Sequence, residues 1–251
     1  MLTIIGTGHV FKIGEAVSFL TRQCWPDAVC VELDDLRYHA ITGDKEALRE
    51  DLIAKGIDPD ASKEERMKNA SPVYRQSAKY QERVSKDNRS SAGADMVAAI
   101  GAAKSVDAEI FRIDLDAQET MEKMWNEMSG GERFRYKMSG IADNLFKKRR
   151  VNKTQADYSK DQAAYIENMR KKYPTLVRVL IDERNEHMAK EIIRVCSAHR
   201  NVVAVVGDGH VDGLLKLLPS DLEVRVVRLA EIMDDKRLKE LKTEFWESPE
   251  Q

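Results

Sequence analysis

Two histidines of this chain sit in almost the same setting. "IIGTGHV" at residues 4–10 carries His9, and "VVGDGHV" at residues 205–211 carries His210. The chain has only 5 histidines, so the repeat is informative. In each copy an apolar run stops at two glycines, Gly6 and Gly8 or Gly207 and Gly209, and an imidazole follows. Residues without Cβ let the chain turn sharply and let another group approach the backbone, so each pair can aim its histidine across a sheet edge. Phosphate readings fail. A dinucleotide fingerprint needs a third glycine where Phe11 stands, and no Gly-Lys-Ser/Thr follows. Imidazoles beside carboxylates suit a divalent cation of borderline hardness: manganese, cobalt, zinc or iron. His39, His187 and His199 lack such a context and read as structural.

The carboxylates come from the ends of apolar runs. Glu32 and Asp34 close "AVCVELD", and Asp114 and Asp116 close "EIFRIDLD". In an open parallel sheet, ligands bind outside the carboxyl ends of the strands, which gathers these acids and both histidines on one rim. The chemistry expected there is hydrolytic. His9 and His210, with Glu32 or Asp114, hold a cation, and the water it binds attacks an amide or ester carbonyl. Whichever of Glu32 and Asp34 is not a ligand takes the proton and returns it to the leaving group. A metal-free variant, with histidine and carboxylate activating water directly, stays open.

A cation enters from a long helix expected over Thr175 to about His199. Val177, Ile181, Met188, Ile192 and Val195 form its apolar stripe, and Arg184 falls on that stripe. A guanidinium on a buried face needs an acid or a ligand. Arg184 therefore either pairs with a strand-end carboxylate or serves the site, fixing an acid or polarising an oxyanion. Glu183 could face the same rim.

The elements that must position these groups alternate. "LTIIG", "PDAVCVELD", "AEIFRIDLD", "NVVAVVG" and "LEVRVVRL" read as strands, separated by helices such as "KIGEAVSFLTRQC", "DLRYHAITG", "ADMVAAIGAAKSV" and "VDGLLKLL". That order predicts an α/β fold: a mostly parallel sheet with helices on both faces, plus a helical insertion. The expectation is one domain over residues 1–251, with a charged helical or flexible insert at about 44–92 and a helical section at about 130–174. The insert could also serve as a homodimer arm.

Composition narrows the classes. Charged residues make up 33% of the chain, yet the formal net charge is -2, so no global field points to nucleic acid. The basic run "KKRR" at 147–150 lacks interleaved aromatics and reads as a solvated helix end. Three cysteines without metal-ligand spacing fit a reducing compartment, and no apolar run reaches membrane-spanning length. A soluble, cytoplasmic protein is expected.

The same residues carry a resemblance. Gly6-Thr7-Gly8-His9-Val10, "PDAVCVELDDLRY", "GADMVAAIGAAK", "RIDLD", "LIDERNEHMAKEI" and "VVGDGHVDGL", in that order, resemble the TraB family. That family is similar to the TIKI proteases and to hydrolases that include the erythromycin esterases. The resemblance implies a metal-dependent hydrolase, in the TIKI branch a peptidase associated with manganese or cobalt more than zinc. It also links some relatives to the shutdown of peptide pheromone signalling. By position it makes His9 and His210 the histidines of two Gly-x-x-His motifs and Glu32 the acid after the second strand. Asp95 stands where glutamate is usual, Leu115 where arginine is common, and Asn185 where aspartate is frequent. A second reading follows from those departures: a non-catalytic peptide-binding or regulatory module that keeps the same pocket.

Overall fold

Five short segments become strands, and β-branched residues dominate the first, fourth and fifth of them. β1 (Leu2–Thr7), β2 (Ala28–Val31), β3 (Glu109–Arg112), β4 (Val202–Gly207) and β5 (Val224–Val227) form one sheet in the order β3-β2-β4-β1-β5. Every pairing is parallel, so the predicted α/β class holds. The computed structural model describes residues 1–8, 11–69, 74–75, 93–138 and 162–247. His9, Val10 and the "KKRR" run lie outside the described residues, as does much of the 44–92 insert.

The chain groups into two compact units. The first is Met1–Leu33, Ser85–Asp114 and Asn185–Gln251, and it holds the whole sheet. Its helices are α1 (Gly14–Gln23), α2 (Ala94–Ser105), α3 (Glu183–Ala198, from Asn185 onward), α4 (Asp208–Leu217), α5 (Leu229–Met233) and α6 (Asp235–Glu247).

Strand side chains alternate between faces. Leu2, Ile4, Ala28, Cys30, Val202, Ala204 and Val206 bury against Met188, Ala189, Ile192 and Val195 of α3 and Val211 and Leu214 of α4. The intervening residues, among them Ile5, Val29, Val31, Val203 and Val205, are also buried, on the face served by α1 and α2. Near-continuous apolar runs are what a sheet covered on both faces requires.

α1 follows β1 on one face and α4 follows β4 on the other, although β1 and β4 are neighbours. That divergence is the switch point of a doubly wound sheet, where a crevice opens at the strand ends.

The second unit is Asp34–Val84 with Leu115–Arg184, so the chain leaves the sheet twice, after β2 and after β3. Its described residues are largely helical: Asp35–Thr42, Lys45–Ala54, Lys63–Asn69, Ala117–Glu127, Gly130–Met138, Gln162–Lys172 and Pro174–Val177. Gly43 ends the first of these at φ 75°, the left-handed conformation that glycine adopts without penalty. Met124, Met128 and Val179 form a small core with Trp125, Leu176 and Leu180 packed against it.

Glu132 is buried in this unit and ties two helix starts together. Thr175 donates to it from N and from Oγ1, both at 2.9 Å, and Ser129 N donates at 3.2 Å. Burial pushes its carboxyl up, and the hydrogen bonds from Thr175 and Ser129 more than reverse that, holding it below the usual carboxylate range. A depressed value makes its stabilisation fully present above the unfolded value of about 4.3 and lost as pH falls through the folded one. Glu132→Gln is therefore expected to flatten the acid side of the stability curve, measured by calorimetry from about pH 6 down to 3. An unchanged slope would contradict this.

The expected single helical stripe is corrected. Arg178–Asp182 is a wider π turn, and the buried positions change across it. Val177 is buried just before it and Val179 within it; after it, the buried positions are Asn185, Met188, Ala189, Ile192 and Val195. Arg184 is consequently half-buried rather than on the core stripe, and its Nη1 donates to Leu180 O at 3.3 Å. Among the described residues no helix is long and apolar enough to cross a membrane.

Candidate functional site

Parallel pairing of β1 with β4 sets the two glycine motifs side by side. Gly6 lies opposite Val206 and Thr7 opposite Gly207. The second helix begins earlier than expected, at Asp208, with Gly207 as its N-cap. His210 therefore stands in the first turn of α4, directly past the carboxyl end of β4.

His210, Glu32 and Asn185 form a buried polar triad, at 5%, 3% and 3% exposure. Glu32 follows β2, which pairs with β4, and its Oε2 accepts from Gly207 N. Its Oε1 faces His210 Nε2 at 3.5 Å. On the far side of the ring, His210 Nδ1 lies 2.7 Å from Asn185 Oδ1. Space for the Asn185 amide comes from Gly213, one turn along α4, where a Cβ would overlap Asn185 Nδ2.

A second network crosses the top of β1. Asp208 Oδ1 accepts from Arg228 Nε and from Leu229 N, both at 2.9 Å, and Arg228 Nη2 reaches Asp208 Oδ2 at 3.1 Å. Arg228 Nη1 also binds Asp212 Oδ1 at 2.5 Å. This bidentate pair links the ends of β4 and β5, which flank β1. It passes over Gly6, where a Cβ would collide with the Asp208 carboxylate. The carboxylates surrounding it, with its own desolvation working against them, hold the Arg228 guanidinium above its ordinary range. On the other face of the sheet, Thr7 Oγ1 donates to Asp95 Oδ2 at 2.6 Å, and Asp95, in the first turn of α2, is buried. Asp114 is buried just past β3, its N–H bonded to Leu33 O at 3.3 Å.

A chain of this geometry can be compared with known proteins. The model of the TraB/PrgY/gumN family matches residues 2–220. The chain belongs to the TraB/PrgY/gumN family. It is also similar to the uncharacterized protein MJ1365 of Methanocaldococcus jannaschii, 27% identical over 243 residues, which is 95% of this chain and 59% of that protein. The chain thus spans less than two thirds of that relative's length.

Not all the acids singled out in this TraB/PrgY/gumN chain lie in the sheet-bearing unit. Glu32, Asp95, Asp114, Gly6, Gly8, Gly207, Gly209 and His210 do. Asp34, Asp116, Glu183 and Arg184 belong to the helical unit, and the first three carry structural bonds there. Asp34 is the N-cap of Asp35–Thr42: Oδ1 accepts from Arg37 N at 2.7 Å, and Oδ2 accepts from Arg37 Nε at 2.7 Å and from Ala117 N at 3.0 Å. Asp116 caps Ala117–Glu127 through Glu119 N and holds Lys55 Nζ at 2.8 Å. Glu183 binds Arg178 at 2.5 Å and Lys123 at 2.8 Å. Asp34→Ala is expected to cost about 1–2 kcal/mol in urea unfolding, with Asp34→Asn recovering most of it because an amide oxygen still caps. Equal losses in the two variants would argue against the cap.

Sequence reasoning met Thr7 and Asp208 at the strand ends without giving either a role in the site, and passed over Arg228. The rule of strand ends could have found Arg228 too, since it directly follows a strand. It marked Asn185 only as a departure from the family pattern, although the position is four residues past Ile181 and three before Met188.

Among the described residues no three His, Cys, Asp or Glu side chains gather at metal-ligating spacing. His210 nonetheless suits a ligand's role, because metal-binding histidines commonly anchor their other ring nitrogen to an oxygen, as Asn185 Oδ1 does here.

Proposed function

We propose that this protein is a hydrolase that activates water against an amide or ester carbonyl, with a peptide or a small molecule as substrate, in the cytoplasm. The observation that carries the reading is the facing pair of His210 Nε2 and Glu32 Oε1, 3.5 Å apart at the carboxyl ends of the sheet. A proton shared directly between a nitrogen and a carboxylate holds them at roughly 2.7–2.9 Å, closer than this pair stands.

Glu32 is the proton carrier. Gly207 N–H fixes its Oε2, and Oε1, on the His210 side, takes the proton of the attacking water and passes it to the leaving group. His210 presents Nε2 beside it. His210, with His9 and Asp114, would hold a manganese or cobalt ion, whose contribution when bound is to lower the pKa of water towards about 7. Burial of the triad keeps bulk water from competing for these hydrogen bonds.

The test is hydrolysis of a peptide library and of simple esters by the purified protein, with added manganese or cobalt and after chelation. Turnover that disappears in His9→Ala and His210→Ala is expected. A folded protein inert under every cation, yet binding peptides tightly, would replace the hydrolase with a binding module.

A further inference from the structure

We infer that Asn185 is a positioning residue that locks His210 in the tautomer protonated at Nδ1, so that the Nε2 lone pair is what faces Glu32. An amide oxygen can only accept. Its approach to 2.7 Å from Nδ1 therefore requires the ring proton to be there. The opposite amide orientation would turn Nδ2 towards Nδ1 and leave the proton on Nε2, aimed at Glu32. An imidazole N–H pointed at a buried carboxylate would close to a charge-assisted bond of about 2.8 Å, whereas the pair stands at 3.5 Å.

The surroundings support the same orientation. Asn185 Nδ2 packs against Gly213, and the amide is almost fully buried, held on a helix whose next turns, at Met188 and Ile192, are anchored in the core. The amide thus has a fixed address on both sides: Gly213 on one, the imidazole on the other. A neutral amide also sets the tautomer without adding charge beside the buried Glu32 carboxylate. The bearing on turnover rests on the hydrolase reading, but the tautomer does not.

The experiment is a long-range proton–nitrogen correlation spectrum of isotope-labelled protein without added metal, at about pH 8.5, above the ordinary imidazole range. With 5 histidines in the chain, comparison with His210→Ala assigns the signal. His210 is expected to show a protonated Nδ1 and a bare Nε2. Asn185→Leu removes the acceptor and is expected to shift the ring towards the Nε2-protonated form, while Asn185→Asp, which keeps an oxygen in place, retains the wild-type pattern. The spectrum itself reports whether each variant is folded; if the leucine variant does not fold, the wild type and the aspartate variant still decide the matter.

A wild-type ring protonated at Nε2 would overturn the inference, even in an active hydrolase. The expected tautomer in a protein without turnover would leave it standing and sink the hydrolase reading alone. In an active protein, Asn185→Leu should also lower kcat/KM or manganese affinity by about 10–100-fold.

Discussion

On the proposed hydrolase reading, Glu32→Gln is expected to lower kcat by about 10²–10⁴-fold, the range spanned by losing a positioned general base. The fold should survive the change. Glutamine keeps an oxygen to accept from Gly207 N–H, and its amide nitrogen can donate to the His210 Nε2 lone pair that the carboxylate faces at 3.5 Å. Structure and chemistry are thereby separated: what disappears is the ability to hold a proton, while volume and hydrogen bonding are retained. Steady-state kinetics on whichever peptide or ester the wild type cleaves, alongside thermal unfolding, would check this. A variant that keeps near wild-type kcat would remove Glu32 from the reaction. One that loses kcat only because it melts early would leave Glu32 a structural acid.

The second large effect is on stability. Gly6→Ala introduces a methyl where the Asp208 carboxylate lies, and Asp208 is the acid that Arg228 grips through two nitrogens. Either the carboxylate retreats and the half-buried guanidinium loses its bidentate acid, or β1 is pushed out of register with β4. Breaking one partner of such a pair costs about 3–5 kcal/mol, which for a chain of this size lowers the unfolding midpoint by roughly 10 °C. Gly101→Ala is the control, because the new methyl meets nothing within 4 Å. In the interior of α2 that change should stabilise by about 0.5–1 kcal/mol. Equal midpoints for the two variants would mean that the bridge over β1 is not what excludes a side chain at residue 6.

The architecture was legible in the sequence because a parallel sheet writes itself as short apolar runs separated by helices, and the five runs chosen are the five strands. The near-identical endings of β1 and β4 put both on one rim, but that the two strands pair is seen only in the sheet. The acids were harder. Glu32 and Asp34 are two residues apart, and on a continuing strand they would point the same way. β2 stops at Val31, however, and Asp34 is taken up as a helix cap. Telling them apart needs the start of the next helix, which only Asp34 and its bond to Arg37 N disclose. Arg184 and Asn185 both satisfy helical spacing between Ile181 and Met188. Their difference arises from a π turn that no periodicity announces. Arg228 was missed for the opposite reason: a lone charge at the end of a short strand looks like solvent exposure until its two aspartates, from another strand's end, are placed beside it.

The position of β1 in the sheet has a consequence on the ribosome. Both of its neighbours, β4 and β5, lie in the last stretch of the chain, and Thr7 is 199 positions from the Val206 carbonyl its hydroxyl reaches. At translation rates of about 5–20 residues per second, the first strand emerges roughly 10–40 s before either partner exists. For that interval a strand carrying Leu2, Ile4 and Ile5 has neither of its partner edges to join.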